Sequence, residues 1–206
     1  VNLSTALIAY GLAAGLLTIT PGLDTAMVLR TAAVEGARRG ALAALGICCG
    51  CLVWGGAVAL GLGVVLVASK TAYLVLRIAG AAYLLWLGAN LIFRPRSKLE
   101  LGTLRPGGGG NWWWRGFLNN LLNPKVGVFY VSFLPQFVPA GFSPAPFIML
   151  LAAIHFAMGL AWDAALILAT TPLKRWLQNA SVVRWLDRAT GSVFVGFGLR
   201  LALDRR

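Results

Sequence analysis

Between Ala41 and Ala68 the chain runs without one charged side chain. About 20 apolar residues in a helix cross a ~30 Å hydrocarbon layer, and buried helices of soluble domains rarely stay uncharged for so long. Five further stretches are of comparable length and character, so six membrane spans are expected: Leu3 to Leu29, Ala41 to Ala68, Thr71 to Phe93, Gly116 to Val138, Pro146 to Thr171 and Val182 to Leu203. The first is too long for the apolar region of a signal peptide and is expected to remain as a helix. Composition agrees, because 12% of the residues are charged, against about 25% in soluble domains.

The formal net charge of +12 would suggest nucleic acid in a soluble protein. Here the basic residues lie mostly between the apolar spans, which marks orientation and contact with anionic lipid headgroups and not a nucleic-acid surface. The connections after spans one, three and five carry twelve of the eighteen Lys and Arg: Arg30, Arg38, Arg39, Arg94, Arg96, Lys98, Arg105, Arg115, Lys174, Arg175, Arg184 and Arg188. Five lie on the other side, and Lys125 falls within a span. By the positive-inside rule both termini are expected outside.

The polar stretch Arg94 to Arg115, with Gly107 to Gly110 in its middle, divides the chain into two halves of three spans. Those halves resemble each other. Arg77, Gly80, Tyr83 and Trp86 recur as Arg188, Gly191, Phe194 and Phe197 at a constant offset of 111. An odd number of spans per copy requires the second copy to be inverted in the membrane. The expectation is therefore one all-α membrane domain over 1–206: repeat one at about 1–93, a linker at 94–115 and repeat two at about 116–206. The first helix of each half should be broken. Each contains a proline among polar residues, Thr20-Pro21-Gly22 and Asn123-Pro124-Lys125, and proline inside a helix removes a donor and clashes with the preceding turn.

Freed backbone groups are tolerated at membrane depth where they are buried in protein or line a wet cavity. Half-helix N-termini suit a carboxylate and C-terminal carbonyls suit an ammonium. Thr20, Pro21, Gly22, Asp24, Asn123, Pro124 and Lys125 are thus the candidate substrate-binding residues, for a small zwitterion at the membrane midplane. A charge near a helix centre costs about 2.5–3.5 kcal/mol on insertion scales, so Asp24 and Lys125 need a compensating role there. Structural pairing is the competing explanation. Asp163 is a third intramembrane charge; carboxylates in such places serve as proton relays, and Asp163, then Asp24, are the candidates for proton coupling.

Other residues carry weaker signals. His155 precedes Asp163 by eight residues, about 12 Å along a helix, and reads as a packed side chain; no metal site or cofactor is expected. Cys48 and Cys51 form a C-x-x-C spacing, which raises a membrane thiol-disulfide relay as an alternative function, although buried cysteines mostly behave as small hydrophobes. Ser132 with His155 lacks the nucleophile turn of a hydrolase. Trp112 to Trp114 suit the headgroup level. Gly11 with Gly15, and Gly46 with Gly50, form small-residue faces for close helix packing and leave room for a homodimer.

With these elements in place, the chain closely resembles the lysine exporter and homoserine/threonine resistance (LysE/RhtB) family of amino-acid efflux proteins. The resemblance rests on Thr20-Pro21-Gly22-Leu23-Asp24, Arg39-Gly40-Ala41, the run from Ala79 to Gly88, Asn123-Pro124-Lys125 and Phe133-Leu134-Pro135-Gln136-Phe137, in family order over nearly the whole chain. It implies a six-helix exporter of amino acids or their derivatives from the bacterial cytoplasm through the inner membrane, in exchange for protons. Leu23 stands where the family's break motif often carries a second proline.

Overall fold

The computed structural model describes residues 2–68, 70–96, 110–169 and 179–203, and every regular element among them is helical. Most of the expected linker, Thr171 at the end of span five, the basic residues Lys98, Arg105, Lys174 and Arg175, and the basic C-terminal pair Arg205 and Arg206 lie outside the described residues.

Span one is two helices, α1 (Leu3–Ile19) and α2 (Leu23–Glu35), bent by 50° at Thr20-Pro21-Gly22. Asn2 starts α1 by accepting the N–H of Thr5 at 2.8 Å, one of the orphan donors of a first turn. Gly36, at φ +92°, ends α2 in a conformation that favours glycine, and α3 (Ala37–Ala68) then runs for 32 residues, about 48 Å of helix. After α4 (Lys70–Phe93), span four is also divided, into α5 (Trp112–Leu121), α6 (Pro124–Phe133) and a 3-10 turn at Leu134–Phe137. Pro124 stands at the start of α6, where its missing N–H costs nothing. The chain closes with α7 (Pro144–Leu168) and α8 (Ala180–Leu203).

Within α3 and α7, Ala37–Gly61 and Pro144–Leu168 are long and apolar enough to cross a membrane, and the bent α1–α2 pair makes a third span if taken as one. Ile78–Phe93 in α4 is apolar but shorter. The break expected at Asn123-Pro124-Lys125 divides span four into two ten-residue helices, each only about 15 Å long. Large apolar side chains face outward along these helices, among them Leu12 at 72% exposure and Leu60 at 75%, a distribution that water does not support over such an area. A multi-pass membrane protein accounts for it.

Two sets of close contacts organise the helices. Gly46 of α3 meets the backbone of Trp113, Gly116 of α5 meets the carbonyl of Ala43, and Gly50 faces Asn120, so α3 and α5 touch main chain to main chain. The Gly46–Gly50 face is therefore used within the chain. Gly15 meets only the tip of Met158, and Gly11 has open space beside it. The second set joins α4 and α8, which run antiparallel: a Cβ on Gly88 or Gly191 would lie 2.7 Å from the other's carbonyl oxygen, and one on Gly198 would lie 3.2 Å from that of Ala81. Between the two sets lies an aromatic core of Tyr10, Phe129, Phe133, Phe137 and Phe194, drawn from α1, α6, the 3-10 turn and α8.

A methyl group at Gly46 has no space, whereas Gly56 on the same helix has nothing within 4 Å. Gly46→Ala is expected to destabilise by roughly 1–3 kcal/mol or more, and Gly56→Ala to be neutral or to stabilise by up to about 1 kcal/mol. Thermal unfolding of both variants in detergent checks the contrast.

Candidate functional site

Because Pro21 cannot continue the helix, the last carbonyls of α1 need other partners. The Leu16 carbonyl accepts both the N–H of Thr20 at 3.0 Å and its hydroxyl at 2.5 Å. The carbonyls of Leu17 and Thr20 accept the Lys125 ammonium at 3.5 and 3.2 Å. Lys125 lies in the first turn of α6, where its own helix disfavours a cation, but it reaches the C-terminal end of α1, which favours one. Asn123 caps α6 by accepting the N–H of Lys125 at 3.1 Å.

The second break repays the first. Asp24, in the opening turn of α2, accepts the side-chain amide of Asn119 at 2.7 Å and that of Asn120 at 2.9 Å, both from the last turn of α5. Each break thus supplies the partner the other lacks. Lys125 is held by backbone carbonyls and Asp24 by amides, so the two charges are compensated separately and not by a direct pair.

A cavity of about 70 Å³ opens where the breaks meet. Of the candidate residues, Thr20, Gly22, Asp24, Asn123, Lys125 and Asp163 line it, while Pro21 and Pro124 shape the breaks from behind. Pro124 instead borders a second, mostly apolar cavity of about 520 Å³ that also includes Trp54, Tyr83 and Ser132. Asp163 is 6% exposed, and among the described residues its one hydrogen-bond partner is the Cys48 thiol at 3.9 Å. Gly22 starts α2 without a side-chain cap, and it too faces the first cavity.

Several residues at this site carried no sequence signal. Asn119 and Asn120 bind Asp24 across about 95 positions of chain, and nothing in their local pattern announces it. Thr190 of α8 shares a 2.5 Å hydrogen bond with the Thr20 hydroxyl. One turn before it, the fully buried Asp187 accepts the backbone N–H and guanidinium of Arg96, holding the segment after α4 against α8. Trp162 lines the cavity beside Asp163. The α7 histidine also lines it, and Nδ1 of His155 lies 2.9 Å from the Tyr130 hydroxyl, with the ring against Phe129.

The alternative chemistries gain nothing from this arrangement. Cys48 faces Asp163 while Cys51 contacts Asn120, and both are buried free thiols. Ser132 borders the second cavity and His155 is engaged by Tyr130. Removing the fully buried Asn120 side chain strips one amide from the Asp24 carboxylate. Asn120→Ala is expected to lower stability by roughly 1.5–3 kcal/mol, the range for hydrogen bonds to charged groups. Thermal unfolding of the variant beside the natural chain in detergent, with Gly56→Ala as the neutral reference, tests this.

Residues 16–205 match the model of the LysE type translocator family. An uncharacterized membrane protein of Bacillus subtilis is 28% identical over 96% of this chain and 99% of its own. A threonine efflux protein of Salmonella typhi is 28% identical over 91% of this chain and 92% of its own, and a leucine efflux protein of Klebsiella pneumoniae is 29% identical over 94% and 92%. No solved structure matches the chain. The chain belongs to the LysE type translocator family and is a membrane transporter, not an enzyme.

Proposed function

We propose that this transporter is a secondary active exporter of amino acids or small amino-acid derivatives, moving them out of the cytoplasm in exchange for protons. The observation that carries the proposal is the meeting of two proline-broken helices at one cavity lined by Asp24, Lys125 and Asp163. Such a place offers a zwitterion both kinds of partner: donors at Lys125 and at the uncapped start of α2, and acceptors at carboxylates. The names of the relatives, threonine and leucine efflux proteins, favour amino acids as cargo and export as direction.

In this reading Thr20, Pro21, Gly22, Asn123 and Pro124 hold the breaks open, Lys125 engages substrate, and Asp24 keeps the second break in register from within the binding site. Asp163 carries the proton, because both oxygens of Asp24 already receive amides. The chain is one transport domain over 1–206, built as inverted repeats of three spans in the bacterial inner membrane with both termini outside. The recurrence of Gly80 as Gly191 supports the repeats, as does the antiparallel packing of α4 and α8. Gly11 remains the small-residue position open to a second copy of the chain.

A zwitterion carries no net charge, so each proton entering in exchange moves one elementary charge, worth about 2.3 kcal/mol per 100 mV. Two results are expected in proteoliposomes holding the purified protein oriented as in the cell and loaded with radiolabelled L-threonine or L-leucine. An acid external medium and, separately, an inside-negative potential should each accelerate efflux. Lys125→Met should reduce efflux at least about tenfold, in line with the loss of a charged hydrogen bond, while inserting normally. Flux indifferent to both gradients would remove proton antiport from the account.

A further inference from the structure

The polar groups around the cavity divide into those already satisfied and those that are not. Both oxygens of Asp24 accept asparagine amides. The carbonyls of Leu17 and Thr20 accept Lys125, the Thr20 hydroxyl lies between Leu16 and Thr190, and His155 is engaged by Tyr130. Two neighbours on α7 remain. Asp163 is more than nine-tenths buried and lines the cavity, and its one hydrogen-bond partner among the described residues is the weakly donating Cys48 thiol at 3.9 Å. The indole N–H of Trp162 is buried without a partner, and among the described residues with such a donor Trp162 is the one that lines this cavity. Buried polar groups in native proteins are nearly always paired, so a carboxylate served only by a thiol and a donor with no partner beside one cavity describe what belongs between them.

Resting on the exporter reading, we propose that the cavity binds the zwitterion in one fixed polarity. The carboxylate lies on the Lys125 ammonium and the Trp162 indole N–H, the ammonium lies on Asp163, and a proton competes with that ammonium for the same carboxylate. The remaining charged and titratable groups around Asp163 are Cys48 and Cys51 of α3, Asp24 of α2, Lys125 of α6 and His155 of its own helix. None provides Asp163 with a strong charged donor within hydrogen-bond distance. Either a proton or an ammonium neutralises this carboxylate, and one excludes the other. On the outer side a proton from water forms the O–H bond and releases the amino acid; on the inner side the ammonium takes its place and the proton returns to the cytoplasmic water. Exchange then follows from occupancy of a single group.

The test is counterflow in proteoliposomes with radiolabelled L-threonine, and L-leucine in parallel, at equal pH on both sides from mildly alkaline to mildly acid. The half-saturation concentration should rise with acidity, approaching about tenfold per pH unit as competition by mass action requires, with the maximal rate unchanged. Asp163→Asn should weaken binding at least about tenfold and abolish this pH dependence, while Asp163→Glu retains it, which separates loss of the carboxylate from loss of the fold. Trp162→Phe keeps the ring but lacks the donor; it should raise half-saturation for the amino acids about tenfold without altering inhibition by leucinol, which has an ammonium and no carboxylate. A pH-independent half-saturation in the natural chain, continued proton competition in Asp163→Asn, or equal weakening of leucinol in Trp162→Phe would overturn the proposal. Absence of counterflow in the natural chain would instead remove the exporter reading beneath it.

Discussion

Two proline breaks that satisfy each other hold this molecule together at its centre. A helix interrupted in hydrocarbon leaves carbonyls and N–H groups that lipid cannot solvate. Here the ammonium of Lys125 completes the end of α1, and the amides of Asn119 and Asn120 hold Asp24 at the start of α2. Neither break is self-sufficient, so the two halves of the chain must assemble before either is stable. The cavity between them is a consequence of that assembly, since Asp24, Asn120 and Lys125, which repair the breaks, also line it.

Asp24 and Lys125 could be found in the sequence because a charge within an apolar span stands out, and Pro21 and Pro124 because proline has a fixed local consequence. Asp163 was visible for the same reason. Asn119, Asn120, Thr190 and Trp162 were not, since uncharged polar and aromatic residues are ordinary in membrane helices and acquire meaning only from partners far along the chain. Asp187 lies between Arg184 and Arg188, where one more charge does not stand out, although it is wholly buried against Arg96. The helices themselves were legible from apolar length. Their boundaries were less so: α2 continues to Glu35, beyond the apolar run that ends at Leu29, and α5 begins at Trp112, before the expected Gly116.

The glycines show why a pattern of small residues does not by itself locate an interface. Gly11 and Gly15 have the same spacing as Gly46 and Gly50, but only the second pair brings a neighbouring backbone into contact. What separates them is the partner: α5 presents Gly116 and Asn120 to α3, while α7 presents the flexible Met158 to α1. Helix packing in lipid gains from close fit more than from burial of apolar area, and close fit requires both surfaces.

A transporter opens its central site to either side of the membrane in turn, so the helices around this cavity have to move. The contact between Gly88 and Gly191 limits how they do so. At Gly88 and Gly191 the main chains of α4 and α8 meet directly, with Leu91, Ile92 and Val195 packed closely around the crossing. So close a crossing favours movement of the two helices as a unit, and the Thr190–Thr20 hydrogen bond ties that unit to the end of α1 beside the cavity.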